Sequence, residues 1–319
     1  PVNSLKKINF IQLEPTSRCN LSCITCLKGQ QGVKWLDRDL DPDLLPSILP
    51  AKHKIEAIHL QGWGEPLLYP HLFKTITFFK TQGVKVSFTS NGTLMNHETA
   101  VSLLDSGLDS ITFSMAGGTA RTQDMLRGTG TFENLINSVE ILSSQIRQQQ
   151  SNLKIAISYL LTPETVKELP KVIRWAKKSR IDKLATVHLT QATNGVQENL
   201  QCIFSQYNLK QRWLRIWLNM LSLDANFHFS LRPFHPSPSP VCDKNPGQSL
   251  FISAEGDVSP CVFLNPPIEG GINWKKDDKH HYQEKYICGN IRKNSLGEIV
   301  NTPSYQGFLG IFQKRIDFY

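Results

Sequence analysis

From residue 8 to about residue 190, short apolar and β-branched runs alternate with longer stretches of helical period, and this alternation restricts the fold more than any other feature. The runs that read as strands are INFIQLE (8–14), IEAIHLQ (55–61), VKVSFTS (84–90), LDSITFS (108–114), LKIAISYL (153–160) and KLATVHLT (183–190). Helical patterns fall between them at about 41–49, 70–82, 96–106, 131–147 and 164–178. Pro42, Pro70 and Pro163 stand at helix starts, and Gly83 and Gly107 stand where helices should end. Six strand–helix units predict a parallel sheet covered by helices, with function at the carboxyl ends of the strands. Six is fewer than the eight of a closed barrel, so the expected fold is α/β: a partial, six-unit βα TIM-like barrel.

Beyond residue 190 the pattern changes. NLKQRWLRIWLNML (208–221) reads as an amphipathic helix whose Trp213 and Trp217, at i and i+4, are expected to pack between domains. NFHFSLR (226–232) reads as a strand and PFHPSPSP (233–240) as a Pro/Ser linker. From Val241 onward the chain has hairpin character and carries cysteines. The expected division is a core over 1–200, a helix, strand and linker over 201–240, and a small C-terminal cysteine-containing auxiliary domain over 241–319.

The chain has seven cysteines, an odd and sparse set that does not suit a secreted disulfide scaffold and makes metal ligation the better expectation. Three of them crowd into LEPTSRCNLSCITC as C-x3-C-x2-C, directly after the first strand. A structural zinc site takes four ligands, and the next His is His53. Three thiolates on one loop suit three irons of a [4Fe–4S] cluster, leaving the fourth iron open for chemistry. Asn20 and the short spacers let such a loop wrap a cuboidal cluster. Cys202 lies outside any motif and is expected to be a small buried residue, and His59 and His188, within strand runs, are expected to be satisfied core histidines.

This cysteine spacing after the first strand of a partial βα-barrel resembles the radical S-adenosylmethionine (SAM) superfamily, over about residues 8–190. QGWGEPLL, after the second strand, looks like the family's GGEP segment. Gly64, Glu65 and Pro66 match it, Trp63 replaces its first glycine, and the resemblance implies binding of the SAM ammonium group. TSNGTL resembles the TNG element and puts Asn91 near the ribose or methionine portion. FSMAGGTARTQDMLRGTG is similar to the S-x-D-G…R segment, which implies that Ser114 and Arg127 hold the SAM carboxylate. Ala116 stands there in place of the usual Asp, and the Ser-to-Arg spacing is one residue longer. The sixth strand would lay its backbone and Leu189 against the adenine.

The resemblance implies a [4Fe–4S] cluster on Cys19, Cys23 and Cys26, and reductive cleavage of SAM to a 5′-deoxyadenosyl radical that abstracts a substrate hydrogen. Cys242 and Cys261, as C-x13-G-x4-C, resemble the opening of a SPASM or twitch extension, which implies an auxiliary iron–sulfur cluster. Cys288 is either a further ligand or a small buried residue beside the GNI turn. The later cysteines of that signature do not occur before Tyr319, so the extension is expected to be truncated. Peptide modification or cofactor biosynthesis is the implied role, on a peptide or small-molecule substrate.

A ferredoxin or flavodoxin is the implied electron donor, and the net charge of +8, from 35 Lys and Arg against 27 Asp and Glu, would attract an acidic one. The basic residues are scattered, so nucleic acid is not expected as a partner. No apolar stretch reaches the roughly 20 residues of a bilayer span, so no membrane partner is expected and the cytoplasm is the expected location. The alternative from another class is a non-catalytic iron–sulfur protein serving in electron transfer or assembly.

Overall fold

A computed structural model describes residues 8–49, 55–189, 192–201, 209–233, 245–276 and 279–318. Strands β1 (Phe10–Leu13), β2 (Ala57–Leu60), β3 (Lys85–Ser90), β4 (Ser110–Met115), β5 (Lys154–Leu161) and β6 (Lys183–His188) pair in parallel, each with the next. Between them run α1 (Leu45–Ile48), α2 (Leu72–Thr81), α3 (His97–Asp105), α4 (Ala120–Arg127), α5 (Thr131–Gln148) and α6 (Leu169–Lys178). After β6 come α7 (Gly195–Asn199), α8 (Leu209–Ser222) and β7 (His228–Ser230), which pairs in parallel with β6. The expected helix over 41–49 is shorter than its pattern, a 3-10 turn at Pro42–Leu44 followed by α1. Gly83 and Gly107 have φ of +73° and +77°, the left-handed conformation that stops a helix at low cost in glycine.

Alternation along the strands sorts the side chains onto two faces. Ile11, Leu13, Ile58, Leu60, Val86, Phe88, Ile111, Phe113 and Ile157 are fully buried against the helices. The opposite face carries His59, Ser87, Thr89, Thr112, Ser114 and Ser158, all half-buried. A two-faced pattern is unusual for parallel strands, which commonly bury both faces. Here one face packs a core and the other stays partly open and polar.

The C-terminal region does not stand apart from this sheet. β8 (Ser249–Ile252) pairs in parallel with β1 on the side away from β2, with Ile11 opposite Leu250 and Leu13 opposite Ile252. β9 (Asp257–Ser259) and β12 (Gly289–Asn290) extend it antiparallel, giving a ten-stranded sheet in the order β12-β9-β8-β1-β2-β3-β4-β5-β6-β7. β10 (Ile272–Lys276) and β11 (Lys279–Gln283) form a separate hairpin, and α9 (Leu296–Ile299) and α10 (Pro303–Phe318) close the described chain. Leu250, Ile252, Val258, Ile299, Tyr305 and Leu309 share one apolar core with β1 to β6. The α/β class and the sequential parallel order stand as expected, and β8 and β9 of the C-terminal region join the same sheet.

α8 differs from its expectation. Leu218 is fully buried and Leu214 and Leu221 pack on the core, whereas Trp213 and Trp217 are 68% and 45% exposed. An i, i+4 pair marks a helix face, but the apolar stripe of α8 is broad enough that the three leucines, not the tryptophans, meet the core. Cys202, Cys242 and most of the Pro/Ser linker lie outside the described residues.

Candidate active site

Glu14 follows β1, and the chain then crosses the carboxyl edge of the sheet as the triple-cysteine loop. Neighbouring loops clasp it at several points. The Ile24 amide donates to the Leu126 carbonyl at the end of α4 (3.1 Å), and the Gln30 side chain donates to the carbonyls of Ile24 (3.0 Å) and Cys26 (2.9 Å). Gln197 of α7 donates to the same Ile24 carbonyl (2.8 Å), and Asn194 donates to Gln30. On the other side, Asn91 donates to the Asn20 side chain (2.9 Å) and Asn20 donates to Thr93 (2.8 Å), so the spacer between the first two cysteines is tied to the end of β3. Gly29 lies against the loop so closely that a Cβ there would meet the Cys23 carbonyl at 2.3 Å.

Cys19, Cys23 and Cys26 are half-buried and none is in a disulfide. Burial raises the Cys19 thiol above its ordinary range and pushes Cys26 up to about 11. A thiol held this way ionises when a metal takes the place of its proton. Among the described residues, no three His, Cys, Asp or Glu side chains are gathered to hold a single metal ion. Three soft sulfur donors on one loop fit an iron–sulfur cluster.

The segment after β2 is locked against this loop by close backbone approach. A Cβ on Gly64 would lie 2.2 Å from the Thr16 carbonyl oxygen and 2.6 Å from that of Arg18, and the Glu65 amide donates to the Arg18 carbonyl at 2.8 Å. Glu65 is almost fully buried, and Pro66 opens the 3-10 turn that it caps. Its carboxylate accepts from the Ser90 hydroxyl (2.9 Å) and from the amides of Asn91 (2.7 Å) and Leu67 (3.2 Å). Desolvation outweighs these donors and pushes Glu65 up to about 7. A cationic ligand arriving beside it would favour the charged form, as the ammonium group of an amino acid would.

Ser114 lies on the half-open face near the end of β4. Arg127 ends α4, with its backbone carbonyl 3.8 Å from Cys23 Sγ and its cation acting on Glu65 and Cys26. Its Nε is buried with no hydrogen-bond partner among the described residues. An unpaired guanidinium donor beside the loop fits an anionic ligand such as a carboxylate. On the expectation that Arg127 holds the SAM carboxylate, replacing it with Gln should raise the Kd for SAM about ten- to hundredfold, the range of a lost charge-assisted hydrogen bond, with Lys restoring part of it. Equilibrium dialysis on the cluster-loaded protein reads this directly.

Several positioning residues carry no sequence motif. Gln123 Oε1 takes the amides of Ala116 (2.6 Å) and Gly117 (3.0 Å), fixing the turn after β4. Glu168 reaches over from the turn before α6 to accept from the Gly118 amide and the hydroxyls of Thr119 and Thr122, fixing the start of α4. Neither carries a signal in the sequence beyond being polar. His59 is satisfied, bonding Ser87 (2.8 Å), Gln61 (3.0 Å) and Thr89 (3.0 Å), but on the half-open face. His188 bonds the Pro233 carbonyl through Nε2, and its Nδ1 is buried without a partner among the described residues. Leu189 packs in a small apolar group with Ile24 and Leu126, and with Trp63 it lines a cavity of about 110 Å³ beside the cysteine loop.

Cys261 sits at the end of the β9 hairpin, next to Val262, whose carbonyl accepts the Trp63 indole N–H (3.2 Å). Trp63 packs edge-on against both Trp35 and Phe263, so the residue that replaces a glycine of the family motif joins the loop after β2 to the Cys261 region. Cys288 is 6% exposed in the main apolar core, where Ser304 bonds its sulfur. Burial raises its thiol.

Comparison with known proteins agrees with this geometry. A family model described as the radical SAM superfamily matches residues 13–176, and one described as an iron–sulfur cluster-binding domain, SPASM, matches residues 242–318. A tungsten-containing aldehyde ferredoxin oxidoreductase cofactor-modifying protein of Pyrococcus furiosus is 26% identical over 94% of this chain and 83% of its own length. An AdoMet-dependent heme synthase of Methanosarcina barkeri is 27% identical over 82% of this chain and 79% of its own. Among solved structures, Streptococcus suis SuiB bound to S-adenosylmethionine has a TM-score of 0.67 over 95% of this chain and 68% of its own, at 16% identity, which is a likeness of fold.

Proposed function

The chain belongs to the radical SAM superfamily, and on that premise we propose that it modifies a peptide or a cofactor precursor, starting from abstraction of a hydrogen atom. It is an enzyme of radical chemistry with a [4Fe–4S] cluster and SAM as cofactors, and its C-terminal region is an iron–sulfur cluster-binding domain. When bound and reduced, the cluster and SAM supply one-electron cleavage of the sulfonium, giving methionine and the 5′-deoxyadenosyl radical that takes the substrate hydrogen.

In this reading Cys19, Cys23 and Cys26 hold three irons. The backbone of Gly64 to Pro66, with the Glu65 carboxylate behind it, receives the SAM ammonium group, and Ser114 and Arg127 receive its carboxylate. Asn91 braces the loop through Asn20 near the ribose, and Leu189 covers the adenine. Ile24, Leu160 and Leu189 on one side and Trp35, Trp63 and Phe263 on the other keep water from the reacting centre. Cys242 and Cys261 ligate the auxiliary cluster, while the apolar surroundings of Cys288 favour a packing role. The functional division remains 1–200, 201–240 and 241–319. A ferredoxin or flavodoxin delivers the electron in the cytoplasm, steered by the basic chain. A cofactor precursor is the better supported of the two substrate classes, because the relatives named above act on a cofactor or make heme.

The observation that carries the reading is the convergence of three cysteines, a glycine-only backbone cradle and an unpaired buried arginine donor at one end of a parallel sheet. The test is anaerobic reconstitution followed by dithionite and SAM. Formation of 5′-deoxyadenosine is expected, with iron per chain above that of one cluster. A reducible cluster that forms none would favour the electron-transfer alternative and overturn the enzyme reading.

A further inference from the structure

Glu14 is an acidic residue that the proposed chemistry leaves without a role. It follows β1 directly and is 1% exposed. Its two oxygens point to two parts of the chain that are distant in sequence. One accepts the Trp63 amide at 2.7 Å, in the loop proposed to receive the SAM ammonium group. The other accepts the Ala254 amide at 3.2 Å, in the turn between β8 and β9 that precedes Cys261. Gly62 makes the first contact possible, because a Cβ there would lie 2.1 Å from the same carboxylate oxygen. The Trp63 ring makes a second tie from that loop to the Val262 carbonyl, so the loop after β2 is joined to the C-terminal region on both sides.

A buried carboxylate is costly unless it is hydrogen-bonded, and apolar packing would hold two loops together at lower cost. What the carboxylate adds is geometry: it accepts at two fixed points, so a shift of either loop breaks a bond. Resting on the radical SAM reading above, we infer that Glu14 is a positioning residue that couples the SAM-binding loop Gly62–Glu65 to the Cys261 hairpin, so that SAM affinity depends on the arrangement of the C-terminal region. By reciprocity, occupancy of the SAM loop also steadies the hairpin. Burial pushes Glu14 up to about 7 against the lowering effect of the Trp63 and Ala254 amides; among the described residues, the charged groups that act on it are Glu255, which raises it, and Lys285, which lowers it.

The test uses the cluster-loaded full chain and Glu14→Gln, an isostere that offers an N–H to one of the two amides and so keeps only one bond. The second variant is Gly256→Ala, at the hairpin turn, where φ is +86° and a Cβ would press on Ile291 at 3.1 Å. The expected result is a five- to hundredfold rise in the Kd for SAM in each variant, with the iron content of the core cluster kept. In the double variant the Gly256→Ala effect should shrink to within about twofold. If Glu14→Gln does not retain its cluster, the Gly256→Ala result alone decides. SAM affinity within twofold of wild type in Gly256→Ala, or full additivity in the double variant, would overturn the coupling.

A readout without cofactors is the Tm of the cluster-free protein against pH. The folded carboxyl holds its proton up to about 7 and the unfolded one only to about 4.5, so the stability this group contributes falls as pH rises through that window. Glu14→Gln should flatten that fall, leaving the part that Glu65 contributes. A wild type that forms no 5′-deoxyadenosine and binds no SAM would remove the radical SAM reading itself, an outcome separate from loss of coupling in an active enzyme.

Discussion

Cys23→Ala is expected to lower 5′-deoxyadenosine formation by about three orders of magnitude or more, because two thiolates do not hold a cluster that the family anchors with three. Cys23 is the middle of the set: its carbonyl accepts the Cys26 amide at 3.0 Å, and its neighbour Ile24 is clasped by α4. Removing one sulfur leaves this backbone pattern intact, so the loss should appear in iron content and in turnover while the far-UV circular dichroism is unchanged. Cys288→Ala is the informative contrast. Its sulfur sits in the apolar core, so the expected effect is a modest loss of stability, about 1 kcal/mol, with SAM cleavage retained. Iron counted per chain in both variants, together with 5′-deoxyadenosine measured by mass spectrometry, checks the pair. Retained turnover in Cys23→Ala would sink the assignment of the core cluster.

Gly64→Ala should be nearly as damaging by a different route. The added methyl would meet two backbone carbonyl oxygens, Thr16 at 2.2 Å and Arg18 at 2.6 Å, and neither can swing away as a side chain would. One segment must move, and the Glu65 amide then loses its bond to Arg18 just where the ammonium group is proposed to bind. A rise of about a hundredfold or more in the Kd for SAM is expected, with a stability cost of roughly 2–4 kcal/mol. Gly83→Ala separates the local effect from general strain. Gly83 has a φ of +73° with nothing within 4 Å of a new Cβ, so that change should cost about 1–2 kcal/mol and leave SAM binding alone. Isothermal titration and urea unfolding of the two variants side by side provide the measurement, and equal SAM affinities in both would refute the cradle.

The parallel core was legible because its signals are local. Period-2 runs, period-3.6 runs and the punctuation at Pro42, Gly83 and Gly107 each report on a few neighbouring residues. The C-x3-C-x2-C spacing was legible for the same reason. Pairing partners are not local, and SLFI at 249–252 shows why: its four buried residues mark a strand but not that it would run parallel to β1. Trp213 and Trp217 show the same limit on a helix, where periodicity defines the stripes and the rest of the molecule chooses between them. Gln30, Gln123, Glu168 and Gln197 are not legible in the sequence because each holds the site through a single long side chain, and an isolated Gln or Glu there looks like any solvated residue.

The place of β8 beside β1 bears on how chimaeras of this enzyme could be built. A chain cut near residue 240, or grafted there to another C-terminal module, would leave β1 as an unpaired edge flanked by Ile11 and Leu13, an invitation to intermolecular strand pairing. Module exchange would therefore have to carry a replacement for β8 along with the new metal ligands, and the workable seam lies in sheet register rather than in the linker.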